Sequence, residues 1–123
     1  MKYHISDYDH IVPIGSNCRM AQALRDLKIK DYALPFDWTL TSCEAIYRAF
    51  SYDFSNFVSR DDCIEESLDN HPGSLVLNLK YNVNVTHERR ITKEAIEKYN
   101  RKVERMLEIL GSNSKVLFIR HHN

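Results

Sequence analysis

Hydrophobic and polar positions along the chain form short apolar runs and helical stripes, and these predict most of the elements. The apolar run at His10–Ile14 predicts a short buried strand, and the Gly-Ser-Asn after it predicts a turn into a helix reaching about Leu27. A second helix is predicted from Thr41 to about Phe50, because its first four residues, Thr-Ser-Cys-Glu, have the spacing of a capping box. Residues 51–72 are mixed and polar, and a loop with one helical turn is predicted there.

The second half of the chain predicts two strands and a long helix. Ser74–Leu79 is the first strand, and Tyr81–Val85 alternates apolar and polar residues as a half-buried strand does. Thr92 is a suitable N-cap for a helix ending at Leu110, and Gly111 stands at the C-cap position. The predicted apolar stripe of this helix consists of Ala95, Tyr99, Val103, Met106, Leu107 and Leu110.

The order of elements predicts the fold class. A final strand, Lys-Val-Leu-Phe-Ile-Arg, completes the order β-α-α-β-β-α-β, which is typical of an α/β or α+β layer. We therefore predict a small single domain over residues 1–123, with a short central sheet and a strand–turn–helix start. Because the last strand lies so near the end, we expect these residues to be the N-terminal part of a longer domain, truncated at the C-terminus.

Composition and charge exclude some classes of partner. Lysine and arginine number 17, as do aspartate and glutamate, and a chain without a basic surplus is a poor candidate for binding nucleic acid or an anionic membrane. The start has no apolar signal segment, and the longest apolar runs are far too short to span a membrane. The three cysteines include no Cys-x-x-Cys pair, so we predict reduced thiols, a cytoplasmic protein, and neither metal nor cofactor.

Cys18 is the first candidate for chemistry, because it follows the predicted strand and turn at the start of a helix. A thiol there experiences the positive end of the helix dipole, which favours the nucleophilic thiolate. Backbone N–H groups of the same turn, with the amide of Asn17, could stabilise an oxyanion. The alternative is that Cys18 is a small residue packed against the strand.

Asp37 and three histidine positions complete the candidates. Asp37 lies between aromatic residues in Leu-Pro-Phe-Asp-Trp, where it either caps a turn or orients a histidine or a polar substrate group. His87 follows a predicted strand, and His121 and His122 follow the last one. If the first and last strands are parallel neighbours, Cys18 and His121 share one edge of the sheet, which slightly favours His121 as the base.

A basic cluster in the second half of the chain is interleaved with glutamates. This pattern is typical of a solvated helix face and does not by itself indicate a binding site. Its members are Arg89, Arg90, Arg101, Lys102 and Arg105.

Two sequence blocks, Gly-Ser-Asn-Cys and Pro-Phe-Asp-Trp, together with a histidine after a strand, resemble a bacterial and viral family of unknown function described as papain-like cysteine peptidases. The resemblance covers nearly the whole chain. It implies Cys18 as nucleophile, His87 as base and Asp37 as third member, and we let it outrank the argument for His121. The acidic residue that follows the family histidine is kept as Glu88, whereas Arg89 replaces an aromatic. Substrate-binding roles are assigned to Ser16, Asn17, Trp38 and His121.

The predicted function is therefore that of a cysteine peptidase or acyl hydrolase acting on a peptide or another acyl substrate. Two alternatives stay open. In one, the Gly-Ser-Asn turn binds an anion such as a sugar phosphate or nucleotide at a helix N-terminus. In the other, the domain is a non-catalytic interaction module whose long charged helix docks a partner. The sequence does not determine the oligomeric state.

Overall fold

The computed structural model describes residues 4–15, 19–28, 32–37, 39–67 and 74–120. Over these residues the protein is a mixed α/β domain, which confirms the predicted fold class. In this part of the chain no helix is long and apolar enough to cross a membrane.

Three α-helices are present in the described residues, and each was predicted. They are α1 (Arg19–Asp26), α2 (Cys43–Ser51) and α3 (Lys93–Leu110). The N-cap of α2 is Ser42, one residue later than predicted, whose Oγ accepts a hydrogen bond from the Ala45 N–H at 3.1 Å. Thr92 caps α3 as predicted, and its Oγ1 accepts from the Ala95 N–H at 3.0 Å. Polar side chains therefore set both helix starts.

The strands form two separate sheets. They are β1 (His10–Pro13), β2 (Thr39–Leu40), β3 (Cys63–Ser67), β4 (Ser74–Asn78), β5 (Val83–Val85) and β6 (Val116–Ile119). β1 and β6 pair in parallel, and the other four form an antiparallel sheet in the order β2-β5-β4-β3. The pairing of the first and last strands was a condition of the sequence argument for His121, and it is met.

Strand β3 lies where a loop was predicted, so that prediction was wrong. Only Cys63 of this strand is buried, and its other residues, Ile-Glu-Glu-Ser, are exposed. β3 lies at the edge of its sheet and is stabilised by pairing with β4. Its residues therefore do not alternate between apolar and polar, and the sequence alone does not indicate a strand.

The buried face of α3 differs from the predicted stripe. Its residues have a regular spacing of four, three, four and three, and they are Ala95, Tyr99, Lys102, Met106 and Ile109. Leu107 and Leu110, predicted to be buried, are exposed. Lys102 was predicted to lie on a solvated face, but it is buried. The hydropathy of a single residue therefore did not predict which face of this helix packs against the core. Compared with the predicted stripe, the buried face is shifted around the helix, and the aliphatic stem of Lys102 occupies a buried position between Tyr99 and Met106.

Aromatic rings form the centre of the core between α3 and the segment after α2. Phe57 stacks on Tyr99 with ring centroids 5.7 Å apart and an interplanar angle of 9°. Phe36 meets Phe54 and Phe57 edge to face. The Leu-Pro-Phe-Asp block is thereby anchored in the core next to α3.

Candidate functional site

The carboxyl ends of β1 and β6 meet at one edge of the parallel sheet. Pro13 pairs with Ile119, and the Ile14 N–H donates to the Ile119 carbonyl at 2.8 Å. The chain leaves this edge through Gly15, the first residue of the Gly-Ser-Asn-Cys block, whose φ is +91°. In parallel sheets this edge is where loops carry functional groups.

Arg120 fixes this edge from β6. Its Nη1 donates to the Ile14 carbonyl at 3.1 Å, and its Nη2 donates to the Thr41 carbonyl at 2.8 Å. One guanidinium therefore joins the end of β1 to the segment before α2. The fork geometry lets a single side chain satisfy carbonyls from two segments, which a lysine cannot do in the same way.

Replacing Arg120 by methionine should lower the free energy of unfolding by about 1–3 kcal/mol, because two carbonyls would lose a charged donor. Urea denaturation would measure the change. Arg120→Lys should recover only part of it, since an ammonium lacks the planar fork. Full recovery by lysine would show that charge alone, and not the bridging geometry, stabilises the edge.

Several predicted site residues lie outside the described residues. These are Ser16, Asn17, Cys18, Trp38 and His121. Their chain neighbours are described: Cys18 stands between Gly15 and the first residue of α1, Arg19, and His121 directly follows Arg120.

His87 lies in a tight turn that follows β5. The Glu88 N–H donates to the Val85 carbonyl at 3.3 Å, and the Glu88 carbonyl accepts from the Val76 N–H of β4 at 3.1 Å. Both ends of the turn are thus tied to the antiparallel sheet. His87 is exposed, and it stands on a rigid support of the kind that functional side chains need.

A cavity of about 360 Å³ lies beside His87, at the lower end of the range for small-molecule sites. Helix α1 contributes Gln22 and Arg25, and α3 contributes Lys98 and Lys102. His87 therefore faces the helix that begins one residue after Cys18 in the chain. No pattern in the sequence predicted this cavity, although the spacing from Tyr99 to Met106 is consistent with an inward Lys102 between them.

Asp37 is buried in a closed turn. Its Oδ2 accepts from the Leu34 N–H at 2.9 Å, and its own N–H donates to the Leu34 carbonyl at 3.2 Å. Burial raises the pKa of Tyr99 well above its usual range, and the negative charges of Glu88 and Asp37 raise it further. The Asp37 carboxylate is therefore close enough to the Tyr99 phenol to influence it.

Lys102 connects Tyr99 to the cavity. Its Nζ lies 4.2 Å from the centroid of the Tyr99 ring, a favourable position for a cation over an aromatic face. The same side chain lines the cavity next to His87. Asp37, Tyr99 and Lys102 are all buried: the charge of Asp37 acts on Tyr99, and the Lys102 ammonium lies over the Tyr99 ring.

The two described cysteines have different environments. Cys63 is buried, and burial raises the pKa of its thiol; its Sγ donates to the Phe57 carbonyl and accepts from the Ser59 N–H, both at 3.4 Å. Cys43 is exposed and is the first residue of α2. Among the described residues, no cluster of histidine, cysteine or acidic side chains could hold a metal ion.

A comparison with known families assigns almost the entire chain. Residues 9–123 match the family model described as "Putative papain-like cysteine peptidase (DUF1796)". The chain belongs to this family. No curated protein and no solved structure gives a significant match. Membership in DUF1796 confirms the resemblance seen in the sequence, and the roles of Cys18, His87 and Asp37 stay predictions.

Proposed function

We propose that this protein is a cysteine-dependent acyl hydrolase of the peptidase type, with Cys18 as nucleophile and His87 as base. The observation that carries the proposal is the cavity shared by His87 and helix α1, whose residues Gln22 and Arg25 follow Cys18 closely in the chain. Gln22 comes four residues after Cys18 in the sequence. The family match over residues 9–123 supports the same assignment.

The reaction requires a base for the thiol, donors for the oxyanion and an acid for the leaving group, and the chain offers a candidate for each. His87 takes the proton of the Cys18 thiol, and the thiolate attacks the acyl carbon. Asn17 and the backbone N–H groups ahead of α1 hold the oxyanion, while Ser16, Trp38 and His121 contact the substrate. The leaving group departs with a proton from the imidazolium, and water then releases the acyl group as an acid.

Asp37 is proposed as the third member, acting from behind the cavity. Its carboxylate accepts a hydrogen bond from the Leu34 N–H, which holds it in the buried turn. A fixed negative charge there favours a positive charge on the cavity side, including the imidazolium that forms during the reaction. Asp37 is thus a positioning residue in this proposal.

Alkylation by iodoacetamide at a series of pH values tests the nucleophile. We expect Cys18 to react with a midpoint well below about pH 8.5, the ordinary pKa of a thiol, because the imidazole and the helix start favour the thiolate. Mass spectrometry of peptides would report each cysteine separately.

The other cysteines are internal controls for this experiment. Cys63 should stay unlabelled near neutral pH, because its buried thiol has a raised pKa and is protonated there. Cys43 is exposed at the start of α2, so it reports what a helix start achieves without the histidine. If Cys18 reacts at the same rate and midpoint as Cys43, the activated-nucleophile assignment is wrong.

A further inference from the structure

The cavity beside His87 concentrates positive charge. Arg25 and Lys98 stand at its rim, and Lys102 is buried at its base with only 4% of the residue exposed. Burying an ammonium costs several kilocalories per mole unless other groups compensate, and the Tyr99 ring, whose centroid lies 4.2 Å from the Lys102 Nζ, is one such group.

Three acidic residues near these basic groups have interactions of their own. Glu88 pairs with Lys98, with Oε1 and Nζ 2.8 Å apart. On α1, Asp26 accepts from the Gln22 amide at 2.8 Å. Asp37 is buried, and its charge acts on Tyr99. None of these carboxylates lines the cavity, whereas Arg25, Lys98 and Lys102 do.

The lysine and arginine donors suit one class of ligand. An arginine fork recognises the planar edge of a carboxylate or phosphate, and a lysine adds a compact charge. In the low dielectric at the base of the cavity, the attraction between Lys102 and an anion is stronger than at an exposed surface. A volume of about 360 Å³ accommodates more than a bare ion, so the anion can be part of a larger molecule.

We infer that this cavity binds an oxyanion, a carboxylate or phosphate group, through Lys102, with Arg25 and Lys98 at the rim. The inference deepens the proposed function: where that function holds, the acyl substrates carry a negatively charged group that docks beside His87. Binding of the anion itself does not require the nucleophile.

Titration of the Cys18→Ala protein with inorganic phosphate or acetate tests the site, with the His87 ring signals followed by NMR. Sodium chloride at matched ionic strength is the reference. We expect a saturable shift with at least one oxyanion and none with chloride. Tighter binding of phosphate would assign a phosphoryl group, and tighter binding of acetate a carboxylate.

Lys102→Met should weaken this binding about tenfold or more, as expected for the loss of a hydrogen bond to a charged group. Lys93→Met is the matched control on the same helix, because the Lys93 side chain is 82% exposed and does not line the cavity. Arg25→Gln at the exposed rim serves as a second variant whose folding does not depend on a core position.

Two results would overturn the inference: no saturable shift with either oxyanion, or unchanged affinity in both Lys102→Met and Arg25→Gln. Because the titration uses a protein without the Cys18 thiol, these results are independent of any hydrolytic activity. Failure of the alkylation experiment would remove the hydrolase proposal and leave the anion site standing.

Discussion

Gly15→Ala should destabilise the protein by about 3 kcal/mol or more, lowering the melting temperature by roughly 10 °C. The φ of +91° at Gly15 disfavours any L side chain, and an added Cβ would overlap Thr41 Oγ1 and lie 2.9 Å from Thr41 Cβ. Thr41 cannot move freely, because its carbonyl accepts from Arg120 at 2.8 Å. Calorimetry or urea denaturation measures the loss.

Gly111→Ala is the matched control. Gly111 follows α3 in a right-handed conformation with φ −85°, and the nearest atom to an added Cβ is the Leu107 carbonyl oxygen at 3.3 Å. We expect a change within about 1 kcal/mol. A comparable loss at both glycines would mean that the contact with Thr41 is not what requires glycine at position 15.

His87→Ala should slow acylation of Cys18 by p-nitrophenyl acetate about 100-fold or more near pH 7, because the thiol loses its base. Intact-protein mass spectrometry follows the acetyl group, and release of p-nitrophenolate follows the leaving group. The midpoint of the pH profile should also rise towards about 8.5, the value of an unperturbed thiol.

His4→Ala is the control for this experiment, since His4 is exposed, precedes β1 and is not one of the candidate site residues. His121→Ala distinguishes the two candidate bases. If His121→Ala abolishes acylation and His87→Ala does not, the base is His121, as the parallel pairing of β1 and β6 alone would favour.

Local signals in the sequence were sufficient for the helices and for four of the strands. Thr92 and the periodicity after it placed α3 correctly, because caps and helical spacing act within a few residues of the chain. Gly111 was correctly placed at the C-cap, although its right-handed φ shows that the position does not require glycine for its backbone conformation.

Other elements depended on contacts between distant residues. β2 and β3 were missed because each is a short or polar strand stabilised by a partner elsewhere in the chain. In α1, Ala21 and Leu24 are buried, whereas Leu27, the predicted end of this helix, lies just after it and is 69% exposed. Which face of a helix is buried depends on what packs against it, and a stripe near the helix end is a weak guide.

The sequence by itself determined the fold class and the family, because caps, helical periodicity and a family match all follow from the order of residues along the chain. It also supplied the candidate site residues, whose roles stay predictions. Only the tertiary structure decided that Lys102 is buried beneath a cavity shared with His87 and α1. The physical reason is that lysine is usually exposed, so a local pattern of hydrophobic and polar residues predicts it at the surface. Its burial depends on segments distant in the chain, since α1, Ala33 and His87 line the same cavity as Lys102.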